Sequence, residues 1–103
     1  MTTLTTHVLD TATGLPAAAM GVHLSRQTDD GWQRLRNGVT DDDGRFDFGA
    51  VEAGTHRLGF ETGSYGSEFY PFVHVVFLVD ESRPHHHVPL LLSPFGYTTY
   101  RGS

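Results

Sequence analysis

The chain has 103 residues, a formal net charge of −5 with its histidines neutral, no cysteine and no lysine, so all seven fixed cations are arginine. That length suits a single domain, residues 1–103, burying roughly two-thirds of its unfolded surface; the lack of cysteine excludes disulfides and thiolate metal centres. The arginines form no basic stripe, which argues against nucleic acid; no apolar run approaches the roughly 18 residues of a membrane helix; and Met1 to Thr6 lacks the features of a secretory signal, so a cytoplasmic location is expected.

Short β-branched and aromatic runs are broken by Gly, Pro, Asp and Asn every ten or so residues, the spacing of a β-sandwich or barrel. Eight strands are predicted. Thr3 to Leu9 is the first, ended by a turn containing Gly14 and Pro16. Gly21 to Arg26 and Trp32 to Arg36 form a hairpin across Asp30-Gly31, since Asp-Gly tolerates positive φ. Asn37-Gly38 reads as a second turn and Asp43-Gly44 as a third, leading into Arg45 to Phe48. The run Asp41-Asp42-Asp43 reads as part of that solvated turn. Thr55 to Glu61 follows. Phe72 to Val79 is apolar on both faces apart from His74, which predicts a central strand. His85 to Leu92 and Tyr97 to Arg101 close the set. Glu61 to Tyr70 is too glycine-rich for more than one turn of helix. The expected architecture is all-β, an eight-stranded antiparallel sandwich.

Seven histidines are many for this length. On the first strand His7 shares a face with Thr5 and Leu9; later, His85 and His87 share a face and His86 points the other way. His23, His56, His74 and His86 read as surface or partly buried hydrogen-bonded side chains. His85-x-His87 is also half of a metal site, with His7 the obvious third ligand. Arg45 opens a strand after a turn, where it becomes functional only beside a polar pocket and a planar partner for its fork of donors. The tail Tyr97 to Ser103 alternates as a strand does, and Gly102 would let it bend off the sheet. No nucleophile elbow, phosphate loop or dinucleotide fingerprint is present.

Several of these pieces occur together elsewhere. His7-Val8-Leu9-Asp10 with Gly14-x-Pro16-Ala17, then Asp43-Gly44-Arg45, then His85-x-His87-Val88-Pro89-Leu90-Leu91-Leu92-Ser93-Pro94-Phe95-Gly96-Tyr97-x-Thr99-Tyr100-Arg101-Gly102-Ser103 resemble 5-hydroxyisourate hydrolase, the enzyme branch of the transthyretin-like proteins. The resemblance spans nearly the whole chain. It implies the transthyretin-like sandwich, a homotetramer built as a dimer of dimers, active sites in a channel at the dimer–dimer interface, and hydrolysis of the cyclic amide of 5-hydroxyisourate without a metal or other cofactor. Carried over by motif, it implies His7, Arg45, His87 and Ser103 as catalytic residues, and Tyr100, Arg101 and Gly102 as the tail that lines the pocket.

The chain departs from the family pattern in two ways. His86 stands where Tyr is usual, and Gly66-Ser67-Glu68 replaces a short helix; the loop after Phe48 is also trimmed. Water activation is assigned to the His7 and His87 pair, charge stabilisation to Arg45, and orientation of water or ring to Ser103. The alternatives are a zinc-dependent site on His7, His85 and His87, and a non-catalytic carrier of a flat hydrophobic ligand.

Overall fold

The computed structural model describes residues 1–103 as two stacked sheets around one hydrophobic core. The strands are β1 (Thr2–Asp10), β2 (Leu15–Pro16), β3 (Gly21–Thr28), β4 (Gly31–Val39), β5 (Arg45–Val51), β6 (Gly54–Phe60), β7 (Val73–Val79), β8 (His85–His87), β9 (Leu90–Ser93) and β10 (Gly96–Thr99), with a single-turn helix α1 (Thr62–Tyr65) between β6 and β7. The eight predicted strands are all present. Ten are counted because Leu15–Pro16 adds a short one and the His85-to-Leu92 run breaks at Val88-Pro89, where proline has no N–H to continue a ladder. Helix α1 stops at Gly66, whose φ is 139°, so the glycine-rich segment holds one turn and no more. It is too short to cross a membrane, and the chain has no other helix.

β1 is the hub of the first sheet. Along one edge it pairs antiparallel with β5 and β2; along the other it pairs parallel with β8 and β9, and β10 closes that side. The sandwich is therefore antiparallel throughout except where β1 meets β8 and β9. Alternation along β1 sends Thr2, Leu4, Thr6 and Val8 into the core, each at most 1% exposed. The buried threonine hydroxyls are matched: Thr6 donates to the Val88 carbonyl at 2.6 Å, and Thr2 lies 3.1 Å from His86 Nδ1. Leaving either unpaired would cost about 1–3 kcal/mol.

The second sheet runs β4-β3-β6-β7, wholly antiparallel. Val22 and Leu24 of β3 and Leu58 and Phe60 of β6 face Leu4, Val8 and Leu90 across the core. Two expectations need correction here. β7 lies at an edge, not the centre: Val73, Val75 and Val79 point inward, but Val76 and Leu78 are 57% and 74% exposed. A strand apolar on both faces reads as doubly buried, yet within one chain nothing covers the second face. Asn37-Gly38 is not a turn either. Both residues pair within β4, opposite His23 and Val22, and the Phe46 ring lies where a Cβ on Gly38 would stand.

The true reversal is Asp41 to Gly44. Asp41 Oδ1 accepts from the backbone N–H groups of Asp43 and Arg45, both at 2.9 Å, and Gly44 takes a φ of 75° with Val8 O where a Cβ would sit. A side-chain acceptor and a left-handed glycine are the local chemistry that such a turn demands. Its consequence is positional: Arg45 leaves the turn opposite His7.

Candidate active site

The outward face of the first sheet is a small grid. Across β1 and β5, His7 is paired with Arg45 and Thr5 with Asp47. Across β1 and β8, Thr3 is paired with His85 and Thr5 with His87. Because neighbouring partners project to the same side, Arg45, His7, Thr5, His85 and His87 share one surface, although they come from three separated stretches of sequence.

A cleft of about 520 Å³ opens on this grid, lined by Thr5, Arg45, His85, His87 and Ser103 together with Asp41 and Asp47, among others. Three of the four expected catalytic residues, Arg45, His87 and Ser103, line it. The fourth, His7, stands beside Arg45 and acts on the charge of His87. The tail is held in place by one main-chain contact: the Gly102 N–H donates to the His87 carbonyl at 2.8 Å, an isolated bridge that brings Ser103 to the cleft. Tyr100 and Arg101 do not line this cleft. They border a neighbouring groove with Val76, Leu78, His86 and His87, so His87 forms part of both walls.

His87 is half-buried and its pKa is lowered. Burial is the largest cause, followed by the Arg45 guanidinium, His7 and His85, and the Thr5 main-chain carbonyl opposes them. Each of the lowering causes disfavours a second cation in the same small space, so the imidazole is neutral at neutral pH and has a lone pair to offer. His86, as expected, points away. It is buried at 4% exposure, and the Asp80 N–H donates to its Nε2 at 3.1 Å.

The histidines of β8 are held by residues that sequence reading did not single out. Thr3 Oγ1 lies 2.6 Å from His85 Nδ1, Thr5 Oγ1 lies 3.0 Å from His85 Nε2, and the same hydroxyl lies 2.8 Å from His87 Nδ1. The alternation Thr3, Thr5, His7 is visible in the sequence; its pairing with β8 is not. Three of the four ring nitrogens of His85 and His87 thus lie within hydrogen-bond distance of threonine hydroxyls of β1.

Chemically, the cleft brings together an imidazole, a guanidinium and the Ser103 hydroxyl, groups that can accept a proton, hold negative charge and orient a polar ligand. The chain is similar to known proteins over nearly its whole length. The mouse (Mus musculus) 5-hydroxyisourate hydrolase is 47% identical over 111 residues, covering 97% of this chain and 94% of that protein. The Salmonella typhimurium 5-hydroxyisourate hydrolase is 42% identical, covering 97% and 80%. Among solved structures, Klebsiella pneumoniae 5-hydroxyisourate hydrolase superimposes with a TM-score of 0.87 at 38% identity, over 100% of this chain and 94% of that one. Sea bream transthyretin in complex with thyroxine gives 0.87 at 34% identity, over 96% and 93%. The model of the HIUase/Transthyretin family matches residues 4–102. With the sandwich, the motif residues and these likenesses in agreement, the chain belongs to the HIUase/transthyretin family.

Proposed function

We propose that this protein is a hydrolase of urate breakdown that opens the cyclic amide of 5-hydroxyisourate, giving an imidazoline that bears a carboxyl and a ureido group. The observation that carries this reading is the meeting of Arg45, His87 and Ser103 on one cleft, beside His7, in a chain whose relatives bear that name. His87 accepts a proton from water as the oxygen attacks the amide carbonyl. Arg45 carries the negative charge that develops on the carbonyl oxygen. His7, next to Arg45, is the second imidazole of the water-activating pair, and Ser103 orients the water or the ring. When the C–N bond breaks, the leaving nitrogen takes the proton back from His87. A positioned base supplies roughly 10²–10⁴-fold, and a charge-stabilising donor about as much. No metal enters the scheme.

The reading includes self-association of whole chains, residues 1–103 acting as one domain, as a homotetramer arranged as a dimer of dimers. Three features support it: the uncovered edge of β7 with Val76 and Leu78, the groove beside Tyr100 and Arg101, and a cleft left open in a single chain. In the assembled form the tail residues Tyr100 and Arg101 would wall the neighbouring copies. A cytoplasmic location fits the same reading.

Freshly generated 5-hydroxyisourate, followed by its ultraviolet absorbance with and without the protein, tests the activity. Acceleration is expected, with at least a hundredfold loss in His87→Ala and in Arg45→Ala while the oligomer persists. Near wild-type turnover in both variants would refute the assignment. A non-catalytic carrier would instead bind flat aromatic ligands and leave the decay of 5-hydroxyisourate unchanged.

A further inference from the structure

We propose that Thr5 is a positioning residue for His87, and that Thr3, His85, Thr5 and His87 form a directional hydrogen-bond relay which presents a bare Nε2 to the cleft and passes positive charge outward to His85. The inference rests on the hydrolytic reading of the cleft and adds to it how the base is aimed and relieved.

The argument is one of proton counting. A threonine hydroxyl has a single proton to donate. Thr5 Oγ1 touches two ring nitrogens, His85 Nε2 at 3.0 Å and His87 Nδ1 at 2.8 Å, so it donates to one and accepts from the other. A group that can only accept, the Pro84 carbonyl, sets the direction. The Thr3 hydroxyl donates to it at 3.5 Å, so Thr3 accepts from His85 Nδ1 at 2.6 Å. With that proton on Nδ1, His85 offers its lone pair at Nε2, so Thr5 donates there and accepts from His87 Nδ1. The row then reads, without conflict, His87 Nδ1–H to Thr5, Thr5 O–H to His85 Nε2, His85 Nδ1–H to Thr3, Thr3 O–H to Pro84. His87 Nε2 is left with its lone pair, as a general base requires.

The same row moves charge. As water loses a proton to His87 Nε2, the Nδ1 proton shifts to Thr5 Oγ1 and the Thr5 hydroxyl proton shifts to His85 Nε2. His87 is then neutral, and the cation sits on His85, which is exposed and hydrated. When the amide C–N bond breaks, the leaving nitrogen takes the proton from His87 Nε2 and the two relay protons return. No proton is gained or lost over the cycle. The charge leaves His87 because Arg45 of β5 and His7 of β1 both oppose a cation there; the other charged groups that face the two rings are Asp47 of β5 and Asp41 of the turn, in the wall of the cleft, and Arg83, which flanks His85 from the preceding turn. The two imidazoles are stacked, with ring centroids 6.4 Å apart and 19° between planes, so one hydroxyl spans them without rotation of either ring.

The test uses the full-length chain with Thr5→Val, Thr5→Ser and His85→Phe. Valine keeps the shape and the strand preference of threonine but has no hydroxyl. For Thr5→Val a fall in kcat of at least tenfold is expected, with KM within twofold; Thr5→Ser should recover most of it. His85→Phe should lower kcat threefold to tenfold with an unchanged melting temperature. Nitrogen-15 NMR of the imidazoles reads the relay without any substrate: wild-type His87 should show protonated Nδ1 and bare Nε2, and Thr5→Val should shift it toward the other tautomer. A wild-type His87 protonated on Nε2, or a Thr5→Val variant with unaltered tautomer and kcat, overturns the positioning role. Wild-type kcat in His85→Phe overturns the outward passage of charge. If the wild-type protein leaves 5-hydroxyisourate untouched, the functional reading fails, and the tautomer measurement still decides the relay.

Discussion

Gly102 lies against the imidazole of His87: a Cβ on that glycine would stand 2.6 Å from His87 Cδ2, while its N–H donates to the His87 carbonyl at 2.8 Å. One residue thus fixes both the tail and a face of the proposed base. The ring has little freedom to yield, since Thr5 holds its Nδ1.

Gly102→Ala is therefore expected to displace either the tail or the ring. Turnover should fall tenfold or more, because small misplacements of a catalytic group are costly. The core lies on the other side of the sheet, so the melting temperature should change by only a few degrees. Kinetics and calorimetry on the same preparation check both parts, and unaltered turnover would contradict the placement of the tail.

Activity should depend on pH through His87. Its pKa is lowered by burial and then by Arg45, so the free base is present at neutral pH and kcat/KM should decline only when pH falls below the ordinary 6.5. Removing the Arg45 charge relieves one lowering cause. In Arg45→Met the titration of His87, followed by NMR, should move upward. A downward move, or none, would mean that the guanidinium does not act on this imidazole.

Stability should depend on pH through His86. The Asp80 N–H donates to its Nε2, so that nitrogen holds a lone pair and Nδ1 carries the proton toward Thr2. Burial is the main cause of its lowered pKa, with Arg83 next. As pH falls through 6.5 the unfolded chain takes a proton that the folded chain resists, so folding stability drops. His23, His56, His74 and His87 are shifted in the same direction. Urea midpoints should fall from pH 7.5 to 5.5, and less steeply in His86→Gln, which does not titrate. An equal slope in that variant would rule out His86 as a contributor.

The exposed side of β7 should matter for assembly. Val76 and Leu78 stand on an uncovered sheet edge, the kind of surface that pairs with another chain unless charged. Leu78→Lys should shift the sedimentation profile toward smaller species at micromolar protein while the far-ultraviolet spectrum stays that of a β-sandwich. A variant that sediments as wild type would remove this edge from the proposed interface.

The strands and the sandwich class were legible in the residues alone, and the family resemblance singled out His7, Arg45, His87 and Ser103 as candidates. Strand alternation and turn chemistry are local: Asp41 and Gly44 make their turn from contacts within a few residues, and the outward facing of Thr5, His7 and Leu9 follows from period two. Where a local signal served a distant partner, the reading failed. Gly38 reads as a turn but makes room for the Phe46 ring, and β7 reads as central but is an edge. That β8 lies parallel to β1, about eighty residues away along the chain, so that Thr5 meets both His85 and His87, is visible only in the folded chain. Which strands become neighbours depends on which faces can be buried together, and that is a property of the whole core, not of any one segment.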